Sequence, residues 1–195
     1  MRKLIYLVAA TLDGFIAASA GSDPSGTVFE LEGDHASSLL DEYPETIPFH
    51  VRPMIGMGDV EPRHFDTVLE GRASYEIGRS QGVSDAYPHL RHLVFSSTLD
   101  ATPAESIELV TSDAIAHVRA LKAEQGRDIW LCGGGSLAAS LRTEIDEIHL
   151  KLHPVVLGTG IPLLAPPTTP EVDRFRLRSA QPFQSGVSLM IYERR

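Results

Sequence analysis

Asp128-Ile129-Trp130-Leu131-Cys132-Gly133-Gly134-Gly135-Ser136-Leu137 is the stretch on which the reading of this chain turns. A mostly apolar run suited to a buried strand ends in three glycines and continues into a short helix expected to reach Leu141. Glycine lets backbone N–H groups come close to a phosphate, and a helix start adds positive potential, so such a junction suits a pyrophosphate. A tight strand-to-helix turn with no ligand has the same signature. The glycines are not a P-loop, because no Gly-Lys-Ser/Thr follows them. Gly133-x-Gly135-x-x-Ala138 satisfies a loose Rossmann spacing in the wrong place. That turn follows the first of several βα units, whereas here only about sixty residues of mostly strand character remain.

The same pattern recurs upstream. Thr67-Val68-Leu69-Glu70 reads as a strand running into Gly71-Arg72 and a helix near Ala73 to Gly78. Arg72, Ser74 and the backbone there offer guanidinium, hydroxyl and amide donors to a phosphate, with a solvated surface arginine as the competing reading. Leu93 to Phe95 opens into Ser96-Ser97-Thr98, hydroxyls at a strand's C-terminal end, which is the edge where open α/β sheets bind ligands. Ile107 to Val110 is another strand, after which Ser112 is placed to cap a helix from Asp113 to Gln125. Ile115, Val118 and Leu121 form its buried stripe, and Gly126 is its stop.

Lys3 to Leu12 is a nearly continuous apolar strand of the kind buried on both faces, ending at Asp13-Gly14. Ser19 to Pro62 is loop-like, with Gly21 and Pro24 early and Pro44, Pro48 and Pro53 later, and carries one short helix around His35 to Glu42. An excursion of this length serves as a lid or binding segment, or is a variable surface loop. After Asp146 strands follow without helices: Glu147 to Leu152, Phe175 to Ser179 and Val187 to Tyr192. Ile148, Leu150 and Leu152 alternate with His149, Lys151 and His153. The polar set is expected on a half-exposed sheet edge, with a subunit interface or a substrate phosphate contact as the other readings. The predicted fold class is α/β, one domain over residues 1–195: a mixed, mostly parallel central sheet with helices on both faces and antiparallel C-terminal strands.

Composition narrows the functional classes. With 195 residues, 43% hydrophobic and 22% charged, the chain has the balance of a globular domain. A net charge of -9 and dispersed arginines exclude a general nucleic-acid binder. The apolar start from Leu4 to Ala10 is much shorter than the ~20 residues needed to span a bilayer and is broken by Thr11 and Asp13, so a buried strand in a cytoplasmic protein is expected rather than an export signal. The single cysteine, Cys132, reads as a packed small side chain, and the eight histidines show no metal-ligand spacing, so no metal site is predicted.

Taken in order, these pieces resemble the family that joins dihydrofolate reductase to the reductase domain of the bifunctional riboflavin-biosynthesis deaminase-reductase, over nearly the whole chain. Ala10-Thr11-Leu12-Asp13-Gly14-Phe15-Ile16-Ala17 resembles the family's first strand and Ser/Thr-x-Asp-Gly turn. Gly71-Arg72-Ala73-Ser74-Tyr75-Glu76 is similar to its Gly-Arg-x-Thr-Tyr/Trp-Glu helix start, Gly133-Gly134-Gly135-Ser136 to its glycine turn, and Pro154 to Leu163 to its Pro-Val-x-Leu-Gly-x-Gly-x-Pro-Leu/Phe segment. The resemblance implies a dihydrofolate-reductase-like fold. It also implies NADPH bound by Ala10, Gly71, Arg72, Ser74, Ser96, Ser97, Thr98, Gly133, Gly134, Gly135, Ser136 and Leu137. Hydride would pass to a small heterocyclic or carbonyl substrate, most like the 5-amino-6-(5-phosphoribosylamino)uracil reductase reaction. Asp13 is the candidate catalytic residue beside the substrate, with a simple Asp-Gly turn as the alternative. A pteridine or dihydrofolate reductase and a noncatalytic nucleotide sensor of the same fold are the rival readings, and a homodimer is expected. The H-x-E and P-C-x-x-C pattern of a zinc deaminase is missing, which predicts a stand-alone reductase. The acid that would protonate a dihydrofolate-type substrate has no matching position, leaving Glu30, Glu32, Asp34, Asp41 and Glu42 open.

Overall fold

A computed structural model of the chain describes residues 1–19, 22–99, 104–165 and 172–195. Gly21, read as part of a loop, lies outside them. The element order is β1 (Leu4–Ala10), β2 (Phe15–Ala17), α1 (Asp34–Glu42), β3 (Phe65–Gly71), α2 (Arg72–Ser80), β4 (Arg91–Phe95), β5 (Ile107–Val110), α3 (Ala114–Ala123), β6 (Asp128–Gly133), α4 (Gly135–Ser140), β7 (Glu147–Leu152), β8 (Ile161–Pro162), β9 (Phe175–Pro182) and β10 (Ser188–Arg194).

Eight strands form one sheet in the order β5-β4-β3-β6-β1-β7-β10-β9. Pairing is parallel from β5 through β7, and β10 and β9 then add antiparallel. The apolar run of β1 is explained by its place between β6 and β7, where both faces of the strand are covered. Leu4, Tyr6 and Val8 pack with Leu69, Leu93, Ile129 and Leu131 under Val118 and Leu121 of α3 and Leu137 and Ala138 of α4. The alternate residues Ile5 and Leu7 join Val68, Trp130 and Tyr43 on the opposite face, against Leu39 of α1, and Tyr75 of α2 packs there on Val94 and Ile107. Helices therefore cover both faces, as the alternation of strand and helix predicts.

Two expectations are corrected. The helix after β5 is capped by Asp113, whose carboxylate accepts from the Ala116 N–H at 3.0 Å, and not by Ser112; Asp113 takes the left-handed backbone (φ 39°) that brings its side chain round to the first turn. The polar side of β7 is not a half-exposed edge. β7 lies inside the sheet between β1 and β10, and Glu147, His149 and His153 are 3–5% exposed. Polar atoms so placed need partners. The Tyr43 hydroxyl meets His149 Nδ1 at 2.9 Å, His149 Nε2 meets Glu147 at 2.8 Å, and Lys3 donates to Glu147 at 2.6 Å.

The long excursion between β2 and β3 is held by one carboxylate. Glu45, fully buried, accepts the backbone N–H groups of His64 (2.6 Å), Phe65 (2.8 Å) and Arg63 (3.3 Å), tying the 3₁₀ turn Pro44–Thr46 to the start of β3. Its replacement orphans those amides. Glu45→Ala is expected to destabilise the protein by about 2–4 kcal/mol, the scale of leaving buried polar groups unpaired; urea denaturation at neutral pH measures this, and a loss below about 1 kcal/mol would contradict the anchoring role.

Candidate functional site

Because β4, β3 and β6 are parallel neighbours, their C-terminal ends lie side by side. Gly71 pairs with Phe95 of β4, and Glu70 pairs with Gly133 of β6. The three tips predicted from sequence therefore share one edge of the sheet. They open on a cleft of ≈ 1470 Å³ lined by Gly71 to Ser74, Ser96 to Thr98 and Gly134 to Leu137, with Val8, Ala9 and Ile16 from β1 and β2.

Contacts across the tips are direct. Arg72 donates to the Thr98 hydroxyl at 2.7 Å, joining two predicted site residues from different strand ends, and its Nε pairs with Glu76 one turn along α2 at 2.7 Å. The Ser96 hydroxyl accepts from the N–H groups of Thr98 (3.2 Å) and Leu99 (3.1 Å), which shapes that tip into a turn. No side chain caps the N-terminus of α2, so its first-turn amides are left for solvent or a ligand. Gly133 has φ 139°, a backbone that disfavours any side chain, and its peptide to Gly134 is cis. A Cβ on Gly133 or Gly134 would lie 3.8 or 3.7 Å from Ser74 Oγ, so α2 and the glycine turn face each other at van der Waals range.

The segment after β7 closes the other side. β8 pairs with β2, Leu163 N–H donates to Gly14 O at 2.9 Å, Ala165 N–H to Gly135 O at 3.0 Å, and the Tyr6 hydroxyl to Leu163 O at 2.9 Å. Gly135 has to be glycine here: a Cβ would sit 2.1 Å from Pro162 O. Asp13 belongs to this seam. Its carboxylate accepts from Thr11 Oγ1 (2.6 Å), Leu157 N–H (3.1 Å) and Gly158 N–H (2.7 Å), and the Thr11 hydroxyl bond, with those amides, holds its pKa below the usual carboxylate range. Asp13 does not line the cleft, and the structure gives it the turn-forming role. Ala10 and Gly133 are buried behind the lining; Ala10 O accepts from His153 N–H at 2.9 Å.

The same cleft extends between the sheet and α1, where Leu39, Tyr43, Trp130, Cys132, Lys151 and His153 line it; this end is its deep arm. Of the five open acids, only Glu30 lines the cleft. Asp34 is engaged by the N–H groups of Gln184 (2.7 Å) and Ser185 (3.0 Å), and Glu42 pairs with His64 at 2.9 Å. Burial pushes the Cys132 thiol well above its ordinary range, the opposite of an activated nucleophile. Sequence reasoning missed Thr111 to Ala114, which line the cleft at the tip of β5; their signal was the same one, polar residues at a strand's C-terminal end.

Behind the tips, Glu70 is tied to a buried histidine. His92 is fully buried, with Nδ1 2.8 Å from Asp85 and Nε2 2.9 Å from Glu70. Burial opposes charge on the ring, but the two hydrogen-bonded carboxylates outweigh it and push the pKa up to about 9. Nothing in a sequence reading pairs residues 70, 85 and 92.

A cleft formed by successive strand tips of a parallel sheet, closed by an antiparallel C-terminal pair, defines a protein of the dihydrofolate-reductase-like fold. Residues 63–189 match the RibD C-terminal domain, and the chain belongs to that family. It is 31% identical over 190 residues, 96% of each chain, to the uncharacterized protein YwjB of Bacillus subtilis (strain 168). Its fold is similar to that of dihydrofolate reductase from Enterococcus faecalis complexed with NADP(H) and RAB-propyl (TM-score 0.67, 15% identity, 99% of this chain and 96% of that one). It is also similar to the diaminohydroxyphosphoribosylaminopyrimidine deaminase/5-amino-6-(5-phosphoribosylamino)uracil reductase of Thermotoga maritima (TM-score 0.61, 16% identity), where this whole chain covers 57% of the longer one. Among the described residues no helix is long and apolar enough to cross a membrane.

The buried histidine makes stability depend on pH. The folded-state pKa of about 9 lies above the unfolded value of about 6.5. The stabilisation is thus complete below pH ~6.5 and lost as pH rises through ~9. The melting temperature is expected to fall between pH 7 and 10 in the wild type, while His92→Gln melts lower at pH 7 and lacks that slope; parallel slopes in the two proteins would remove His92 as the cause.

Proposed function

We propose that the protein is an NADPH-dependent reductase acting on a small heterocyclic or carbonyl substrate, in a reaction most like that of a 5-amino-6-(5-phosphoribosylamino)uracil reductase. The observation that carries this reading is the meeting of Gly71-Arg72, Ser96 to Thr98 and Gly134 to Leu137 at one cleft. The residues there fit a dinucleotide: a side-chain-free glycine turn packed against Ser74, uncapped α2 amides, and a guanidinium with hydroxyls beside it. NADPH, when bound, would supply a hydride from C4 of its nicotinamide.

The remaining work belongs to this chain. Gly134 to Leu137 and the α2 amides hold phosphate oxygens, and Arg72 with Thr98 takes the extra phosphate that separates NADPH from NADH. The Arg72 charge favours the cofactor with the additional phosphate, and its pairing with Glu76 tempers that preference. The deep arm under α1 holds the substrate, and its apolar walls exclude water from the reacting carbon. The acidic protein, with one cysteine, is read as cytoplasmic. We also propose that two copies associate through β9, an edge strand whose residues Arg176 to Pro182 are all exposed and whose Leu177 is 51% exposed. Sedimentation equilibrium is expected to give twice the chain mass, and a monomer at micromolar concentration would refute it.

Arg72→Ala is expected to weaken NADPH by roughly 10- to 100-fold, the size of one lost charge-assisted hydrogen bond, while NADH changes by less than about threefold. Thermal-shift titration with both cofactors measures this. Equal losses would take Arg72 out of the phosphate site, and no shift with either cofactor in the wild type would remove the reductase reading.

A further inference from the structure

The floor of the deep arm carries a cation with no counterion. Lys151 faces Ala9 in the β1–β7 register, on the same side of the sheet as His149 and His153, and it lines the cleft. Among the described residues its ammonium makes no hydrogen bond or ion pair, and burial lowers its pKa. Other basic groups of this region are partnered: Arg72 with Glu76, Lys3 with Glu147, Arg52 with the carbonyls of Ile47 and Pro44.

The neighbours of Lys151 are not anions. Cys132 is held protonated by burial, and burial, with His35 and Lys151 beside it, pushes His153 down to about 4, so the imidazole is neutral at neutral pH. The acids on the same side of the sheet are committed elsewhere: Glu70 is 2.9 Å from His92, and Glu147 is held by Lys3 at 2.6 Å and His149 at 2.8 Å. His35 is engaged by Ser185 Oγ (2.9 Å) and by the Glu30 carbonyl (3.2 Å), and the Tyr43 hydroxyl by His149 at 2.9 Å. What is left is a lysine among aromatic and aliphatic walls, where an unpaired charge is unfavourable and burial depresses its pKa. An anion from outside would pair the ammonium and offset the cost of its partial burial.

We propose that Lys151 anchors an anionic oxygen of the substrate, a carboxylate or a phosphate, at the floor of the deep arm. The proposal rests on reading this cleft as the reductase site. The walls formed by Phe29, Leu39, Tyr43 and Trp130 accept the flat body of the ligand, and the ammonium fixes its acidic end. Substrate choice then follows charge: a neutral analogue of the same ring leaves Lys151 unpaired and binds less well.

Trp130 is the chain's one tryptophan and lines this arm, so its fluorescence reports occupancy. The test titrates the cofactor-free protein with benzoate and with benzamide, which share a ring and differ in the charge of one substituent. Benzoate is expected to bind at least tenfold more tightly than benzamide in the wild type, the preference to vanish in Lys151→Met and to survive in Lys151→Arg. Competition by inorganic phosphate for the benzoate site distinguishes the sources: displacement assigns a phosphate-bearing ligand, indifference a carboxylate. Lys151→Met is also expected to melt at or above the wild-type temperature, because it removes an unpaired, half-buried charge; Lys151→Gln serves if Met does not fold. Equal Kd values for the two probes in the wild type, or an acid preference unchanged in Lys151→Met, overturn the proposal. NADPH thermal shifts on the same proteins separate the two failures. A retained NADPH shift without acid preference overturns Lys151 alone, whereas an absent NADPH shift in the wild type overturns the cofactor reading and leaves the anchor to be judged by the benzoate titration.

Discussion

Parallel strand pairing is the constraint from which this molecule follows. When β4, β3 and β6 run in the same direction, every connection must return along a face of the sheet, and every strand must end on the same edge. The starts of α2, α3 and α4 are thereby gathered within reach of one another. Small residues then decide how closely they approach. At Gly71 a side chain would press on Leu137 Cβ at 3.4 Å, and at Gly135 it would collide with the Pro162 carbonyl. The cleft is what remains when strand ends are brought together and their side chains are withheld.

The two faces of the sheet are finished differently. On one, α3 and α4 lay a regular apolar layer over Leu69, Leu93 and Leu131. The other is covered by α2 and by the irregular excursion that contains α1, and that cover is pinned at points rather than packed throughout. Glu45 holds it to β3, Tyr43 to His149, and Asp34 to the β9–β10 turn through Gln184 and Ser185. Point attachment leaves space between pins, and that space is the deep arm. It also explains why the polar side of β7 is tolerated inside a sheet: Glu147 and His149 pair with Lys3 and Tyr43, His153 lays its ring against Phe29 and His35, and half-buried Lys151 makes no hydrogen bond or ion pair among the described residues.

Electrostatics divide along the same line. A chain of net charge -9 offers few positive sites, and most of its cations are offset by carboxylates a few ångströms away. The buried imidazolium at His92 is balanced by Asp85 and Glu70. At the cleft, among the described residues, positive potential is local: the uncapped amides at the start of α2, the Arg72 guanidinium and the ammonium of Lys151. An acidic surface keeps anions from binding elsewhere.

The sequence by itself determined the periodic parts. Apolar runs and glycine punctuation marked β1, β3, β5, β6 and β7 within a residue or two, placed the helices between them, and identified the three tips that line the cleft, because strand and helix periods and turn chemistry are local properties. What only the tertiary structure decided is which side of each element is covered and by what. Asp13 reads as a group beside the substrate until Leu157 and Gly158, more than 140 residues away, are seen to occupy its oxygens. His149, Lys151 and His153 read as an exposed edge until β10 is seen to pair beside them. The triad of Glu70, Asp85 and His92, and the clamp of Glu45 on residues 63–65, have no local signature at all. Partners distant in the chain are chosen by sheet order and by the path of the covering segment, and neither is written in the spacing of neighbouring residues.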